Sequence, residues 1–365
     1  MLGKISVETL NLGQGASPEI EKVTLFIGVG TLNTASILSL NSQSDLDTLL
    51  DGEIHKQVKA AQYNGGENWR AYASPIVSGT DWRVTFDESI QAGKIPELVA
   101  LCSPISTPAE VNALQAEAAA MRNVYGLPFR IVSATPGIDS ASQTWSQYET
   151  AQTAIQSGVL ADRVALVPQT HGNNLGVLMG RLCRHDVSVA DSPMRPKTGG
   201  VLALGAAPTD IDGVMLSSAT IETLDANRLT VIQDYPGYPG LYFGDCNLLD
   251  APAGDFQVIE YGRISDKAER RIRPLAIKRI ADRSFNSTPL SMASGKTYFA
   301  KVLRDMSKGT TFLDTPMPGD IQPPKKDAIH IFWPDKDTAQ VFFKVTPYNS
   351  AKEIKNYIAL DLSNG

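Results

Sequence analysis

The residues that could carry chemistry are four histidines, three cysteines and a few close-set carboxylates. His55, His171, His185 and His330 show no metal-ligand spacing, and no His-Glu-x-x-His occurs. Cys102, Cys183 and Cys246 lie far apart without a Cys-x-x-Cys, which argues against a disulfide framework or a zinc ribbon. Cys246 sits in a Gly244-Asp-Cys-Asn247 turn and reads as structural. His171 heads a polar loop, Thr170 to Asn174, behind an apolar run at 163–167. Enzymes with parallel sheets place catalytic groups at that end of a strand, so His171 is the best single candidate for a site. Asp210 and Asp212, with Asp191 before them, could share acid–base work, yet Pro208 and Gly213 make turn chemistry the simpler reading.

Two glycine patterns suggest phosphate binding and both fall short. Gly28-Val-Gly30-Thr-Leu-Asn33 follows a strand, but Asn33 stands where a dinucleotide turn needs its third glycine. Gly295-Lys296-Thr297 lacks the earlier glycine of a phosphate loop, because position 290 is Leu290. No Gly-x-Ser-x-Gly elbow is present. The sequence therefore implies no catalytic residue, no metal site and no cofactor.

The elements that would position any site alternate regularly. Residues 22–30 form an almost continuous β-rich run, the pattern of a strand buried on both faces. The spacing predicts a helix over 45–64, then strands near 69–77, 97–102, 129–134 and 163–167. Helices are expected over 107–125, 143–157 and 173–184. The first of these opens on a capping box, Thr107-Pro108-Ala109-Glu110, and closes at Gly126. Strand–helix–strand at this spacing means parallel βαβ units. Past residue 215 the texture changes. Asp234–Tyr242 reads as an aromatic, turn-rich loop and 256–261 as a strand. A basic helix is expected from about Ser265, which Pro274 must kink or end. Thr288 caps a further helix with Phe299, Val302, Leu303 and Met306 on its buried stripe. Strands follow at 328–333 and 340–346. Residues 4–12 and 354–362 read as lone strands hanging at the two ends, with Ile5, Val7 and Leu10 on the first and Ile358, Leu360 and Leu362 on the second.

The chain has 365 residues and a net charge of −6, which speaks against a general nucleic-acid binder. No run approaches the roughly 18 apolar residues of a membrane span. Residues 1–9 lack the apolar centre of a secretory signal. The charge is uneven. Residues 263–308 hold 12 basic and 4 acidic side chains, so an acidic chain contains one concentrated basic segment. That segment is either a solvated helical face or a docking surface for an acidic partner.

Three stretches carry a resemblance: Leu224–Ile232, Gly237–Asp245 with its Gly-Leu-Tyr turn, and Phe256–Ala268 with Gly-Arg-Ile-Ser-Asp-Lys-Ala. Together they resemble the sheath proteins of contractile bacteriophage tails, tailocins and injection machines. The doubly Pro-Gly stretch at 234–242 and Pro274 depart from that pattern.

The resemblance implies a mostly parallel α/β core, a second α+β domain and extended strand arms at both ends. The expected division is an arm over 1–20, an α/β domain over 21–215, an inner domain facing a tube over 216–347 and an arm over 348–365. The implied function is a structural subunit, not an enzyme. It would polymerise helically around a tail tube, in stacked hexameric rings, and contract to drive the tube through a cell envelope. Its implied partners are copies of itself, a tube protein, and baseplate and tail terminator proteins, with no direct nucleic acid and no membrane insertion. The implied place is the virion tail, assembled in the host cytoplasm. The arms would complete small sheets in neighbouring subunits, and Lys267, Arg270, Arg271, Lys278 and Arg279 would face an acidic tube. The competing expectation is an α/β enzyme using the loops behind the parallel strands.

Overall fold

The computed structural model describes residues 20–312 and 315–359. Its elements run in the order the hydrophobic periods require. They begin with β1 (Thr24–Val29), β2 (Leu38–Asn41), α1 (Leu46–Leu49), α2 (Gly52–Gly65), β3 (Arg70–Ile76), α3 (Trp82–Gln91) and β4 (Leu98–Leu101). Next come α4 (Pro108–Tyr125), β5 (Arg130–Thr135), α5 (Trp145–Gln156), β6 (Ala161–Pro168) and α6 (Asn174–Leu182). Then follow α7 (Ser218–Ala226), β7 (Ile232–Tyr235), β8 (Tyr238–Phe243), β9 (Leu248–Leu249) and α8 (Ile259–Ile277). The chain continues with α9 (Pro289–Met306), β10 (Thr310–Phe312), β11 (Thr315–Met317), β12 (Ile329–Phe332) and β13 (Gln340–Phe343).

A seven-stranded sheet with the order β2-β3-β1-β4-β5-β6-β9 forms the centre. Strands β3, β1, β4, β5 and β6 pair in parallel, and the two edge strands run antiparallel. Every residue of β4 and β5 is buried, as expected of strands covered by helices on both faces. One face carries α2 and α6 over Phe26, Ala100 and Val132. The other carries α3, α4, α5 and α7 over Leu25, Val99 and Ile131. The expected capping box at Thr107 and Glu110 is present, and Gly126 ends α4 in the left-handed conformation.

Helices α2 and α6 touch backbone to backbone. A Cβ added at Gly176 would stand 2.0 Å from the carbonyl oxygen of Gln57. Gly176→Ala is therefore expected to cost about 1–3 kcal/mol by overpacking, read as a lower thermal midpoint.

The structure differs from the sequence expectations in several places. The 45–64 helix is broken at Leu50 and Asp51 into α1 and α2. Strand β2 and helix α3 were not anticipated. The 234–242 stretch is not a loop but the end of β7, the turn and most of β8, a hairpin that Gly237 closes at φ 81°. Residues 259–261 open α8 instead of ending a strand, and Pro274 lies within the helix. Finally, the textural change near 215 is not a change of core: β9 is an edge of the main sheet, and Leu224, Leu229 and Val231 join the core under α4 and α5.

A third core begins at α8. Ile264 and Ala268 pack with Phe299, Val302, Leu303 and Met306 of α9 and with Ile329 and Ile331 of β12. The β12–β13 ribbon covers this core with one face only.

Candidate functional site

The enzyme candidates meet the structure first. Burial pushes Cys246 up to about 12 and Cys183 to about 11, and raises Cys102 as well, so their thiolates are disfavoured. Burial lowers the pKa of His171. Its imidazole Nδ1 lies 3.0 Å from the Thr170 hydroxyl, and its backbone N–H donates to the Asn174 side chain, so it holds a turn. Asp210 accepts from the backbone N–H groups of Asp212 and Val214, which is turn chemistry too. Behind β1, the N–H groups of Thr31 and Leu32 donate to the Asp51 carboxylate. A carboxylate of the chain itself thus fills the place an anion would take. Gly295-Lys296-Thr297 lies inside α9. Among the described residues, no group of three or more His, Cys, Asp or Glu could hold a metal ion. The sheet positions no catalytic constellation.

What the fold does position is charge around α8. Arg263 donates through Nε and Nη2 to both oxygens of Glu97, at 2.8 and 2.9 Å, with both side chains about 1% exposed. Glu97 also accepts from the Lys22 backbone N–H at 2.6 Å. Burial alone would raise the Glu97 pKa, but the Arg263 and Arg270 charges outweigh it and hold the carboxyl at about 2. One turn along, Asp266 pairs with Arg130 at 2.9 Å and with Arg163 at 3.5 Å. Gly262 makes this pair possible, because a Cβ there would stand 2.1 Å from the Arg130 guanidinium. Glu269 pairs with Arg122 of α4 at 2.7 Å. The first three turns of the basic helix are thus riveted to the parallel sheet by buried ions.

This corrects one expected surface residue. Arg270 is not exposed: its guanidinium lies 3.4 Å from Glu21 and donates to the Pro128 carbonyl, and its side chain is 5% exposed. Its charge serves the interior because α8 turns that face toward β4 and the strand's approach. Lys267 is half-buried and pairs with Asp320 at 2.7 Å. Arg279 pairs with Asp282 and lies over the Tyr298 ring at 4.2 Å. Arg271 is half-buried, and Lys278 is exposed. Basic residues that the sequence reading did not single out, Arg273, Lys296, Lys301, Arg304 and Lys308, are exposed on α8, α9 and the turn after α9. The i, i+3 spacing of Lys301 and Arg304 along α9 was the available signal.

The two chain ends are the second feature. Ile5, Val7, Leu10, Leu360 and Leu362 lie outside the described residues. Ile358 is described, and it is 96% exposed. With Ile354 and Tyr357 it forms a run of apolar side chains standing in solvent, with no strand pairing over residues 351–359. This run begins just after a fixed point. The Lys352 ammonium donates to Asp245 at 2.7 Å and to Glu260 at 2.8 Å. Burial raises the Glu260 pKa, and its other oxygen has no partner. Burial would lower the Lys352 pKa, but Glu260 and Asp245 together raise it. The two shifts run the same way because Lys352 has two carboxylates and Glu260 has one cation.

The β12–β13 ribbon is the third feature. Its two strands pair only with each other among the named strands, so each has an open edge. Ile329 and Ile331 face the core, while Phe332 and Phe342 on the outer face are 50% and 58% exposed. The ribbon is stabilised by its packing on α9, and its open edges and apolar outer side chains leave room for a further strand.

Comparison with known proteins adds the family and the fold. Residues 2–247 match the family model described as DUF2586, N-terminal domain, and residues 255–363 match DUF2586, C-terminal domain. A protein of Haemophilus phage HP1 (strain HP1c1), named as a tail sheath protein, is 40% identical over 373 residues, covering 100% of this chain and 99% of its own. Among solved structures, the sheath complex of the PVC extracellular contractile injection system in its contracted state superposes with a TM-score of 0.63 at 14% identity, covering 99% of this chain and 98% of that one. A sheath tail protein from Desulfitobacterium hafniense gives 0.51 at 10% identity, covering 94% and 100%. At these identities the superpositions speak to the fold, which they share along almost its whole length.

Proposed function

The chain belongs to the DUF2586 family and is a structural, non-enzymatic subunit of a contractile phage tail sheath, and we propose that its copies join by exchanging the two chain ends. The arm over 348–365 leaves one subunit and adds to an open edge of a neighbour's β12–β13 ribbon, and the arm over 1–20 does the same elsewhere in the lattice. One observation carries this reading: Ile354, Tyr357 and Ile358 stand in solvent directly beyond the anchored Lys352. A strand supplies its own backbone bonds only by pairing, and β-addition gives it both bonds and a place for alternate side chains. The seven-stranded body extends to about residue 258, and the third core, built on α8, α9 and the ribbon, forms the inner domain.

That inner domain faces the tube. Arg271, Lys278 and Arg279, with Lys301 and Arg304 beside them, meet acidic groups of the tube protein, while Lys267 stays on Asp320 of its own chain. Exposed pairs are worth ~0–1 kcal/mol each, which suits a contact that breaks on contraction. Baseplate and terminator proteins bound the ends of the sleeve, which forms in stacked hexameric rings in the host cytoplasm. The extended sleeve is held by its packing as a kinetic trap, so contraction needs no nucleotide.

Negative-stain microscopy of the purified protein tests the reading. Rods or short stacked rings are expected, and discrete particles under every assembly condition would contradict it. Reversing charge at Lys278, Lys301 and Arg304 is expected to lower assembly around tube at least several-fold while sparing self-assembly. The deficit should also shrink as salt rises and screens the contact. Equal impairment of both processes would remove the tube-docking role.

A further inference from the structure

Both chain ends are rooted on one helix. At the carboxy-terminal root, Lys352 is held between Asp245 and Glu260, with the Lys352 side chain 28% exposed and that of Glu260 4% exposed. Asp245 is itself fixed by the Ser192 hydroxyl at 3.1 Å. Glu260 lies in the first turn of α8 and has no other cation among the described residues: its second oxygen is buried without a partner among them. At the amino-terminal root, Glu21 meets Arg270 of the same helix at 3.4 Å, and the neighbouring Lys22 N–H meets Glu97, which Arg263 of α8 holds. Glu260 and Arg270 are ten residues apart, a rise of about 15 Å along α8. Other ion pairs tie α8 to the sheet between these points.

We propose that α8 is the shared anchor of both arms, and that Lys352 in its socket of Asp245 and Glu260 is the residue that positions the carboxy-terminal arm. The inference rests on the arm-exchange reading and adds the device that regulates it. The socket converts a floppy end into a strand with a fixed origin. Ile358, six residues on, can then reach no further than about 20 Å from the body. A fixed origin restricts the free arm to fewer conformations, so less entropy is lost when a neighbour's sheet edge captures it. It also passes any pull on one arm along a rigid helix to the other.

Limited trypsin digestion of the full-length monomer tests the anchor directly, because trypsin must take a lysine side chain into its own pocket. Cleavage after the exposed Lys355 is expected to be rapid, and cleavage after Lys352 at least tenfold slower. The paired change Asp245→Asn with Glu260→Gln should speed cleavage after Lys352 at least tenfold and leave Lys355 unchanged. Equal rates at the two lysines in the unaltered protein, or no change in the variant, would overturn the anchor. In assembly, Lys352→Met is expected to shorten self-assembled sleeves severalfold, and Lys352→Arg to restore them. Glu21→Gln should shorten them too, without altering the digestion pattern. If Lys352→Met builds sleeves of ordinary length while an arm truncation builds none, arm exchange stands and the anchor falls. If the truncation builds ordinary sleeves, arm exchange itself falls. Should Lys352→Met fail to fold, digestion of the unaltered protein still decides.

Discussion

Truncation after Glu353 is expected to give a folded monomer that builds no sleeve. The cut leaves Lys352 in its socket and removes no described residue of any of the three cores. The thermal midpoint should therefore stay within a degree or two of the full chain. The loss falls on association. Ile354, Tyr357 and Ile358 are 75%, 89% and 96% exposed in the single subunit. Burying such side chains on a neighbour is worth ~1.5–3 kcal/mol each before ordering costs. Fixing each backbone residue costs ~1–2 kcal/mol, so an arm is retained only where strand pairing and apolar burial act together. A sleeve multiplies that contact over every subunit, and its loss should take polymer from dominant to undetectable by sedimentation. Removing residues 2–17 is expected to have the same outcome. Loss of the cooperative thermal transition in either truncation would show that the ends hold the body together instead.

Glu97→Gln is expected to be the most damaging single substitution in the body. It strands the Arg263 guanidinium, which is 1% exposed, without a counter-ion. Breaking one side of a buried pair costs about 3–5 kcal/mol, since the remaining charge is left uncompensated. The same pair sets an acid limit. The Glu97 pKa is about 2 in the fold, below the ordinary range near 4.5. A depressed carboxyl pKa gives stability that is full above the unfolded value and lost as pH falls through the folded one. Stability from Glu97 should thus decline between about pH 4.5 and pH 2, and Glu97→Gln should flatten that part of the profile. Glu260 acts with the opposite sign, because burial raises its pKa: its contribution is full at low pH and is lost as pH rises. Thermal midpoints across pH 2–7 for the two proteins check this. Parallel profiles would show that Glu97 is not the group responsible.

The parallel sheet was legible because its signals are local. Apolar runs of strand length, a capping box at Thr107 and Glu110 and the glycine stop at Gly126 need no distant partner to be read. Helix α3 escaped notice because only Trp82, Phe86 and Ile90 pack inward in a short stretch that is mostly polar, while Val84 is exposed. Helix α8 was misread at its start for a different reason. Ile259 to Tyr261 continue the β-like texture of 256–258, and no side chain of Val258 caps the helix. The buried role of Arg270 could not be read from composition, because its partner Glu21 lies 249 positions away. A charge counts as surface in a sequence until its counter-ion is found. Arg263, Asp266 and Arg270 do recur at i, i+3 and i+7, on the same face as Ile259 and Gly262. That mixing of ions into the apolar stripe is the trace of a riveted helix, visible only as a departure from ordinary amphipathicity. The socket of Lys352 left no trace at all, since Asp245 and Glu260 meet it 107 and 92 residues apart.

A cryo-EM map of the assembled sleeve, at a resolution that traces the backbone, decides whether the subunits share strands. Residues 354–358 of each subunit are expected to run as a strand against the β12–β13 ribbon of a neighbour, with Lys352 still seated on its own Asp245 and Glu260. A map in which both ends lie against the body they come from, with no strand shared between subunits, would contradict it.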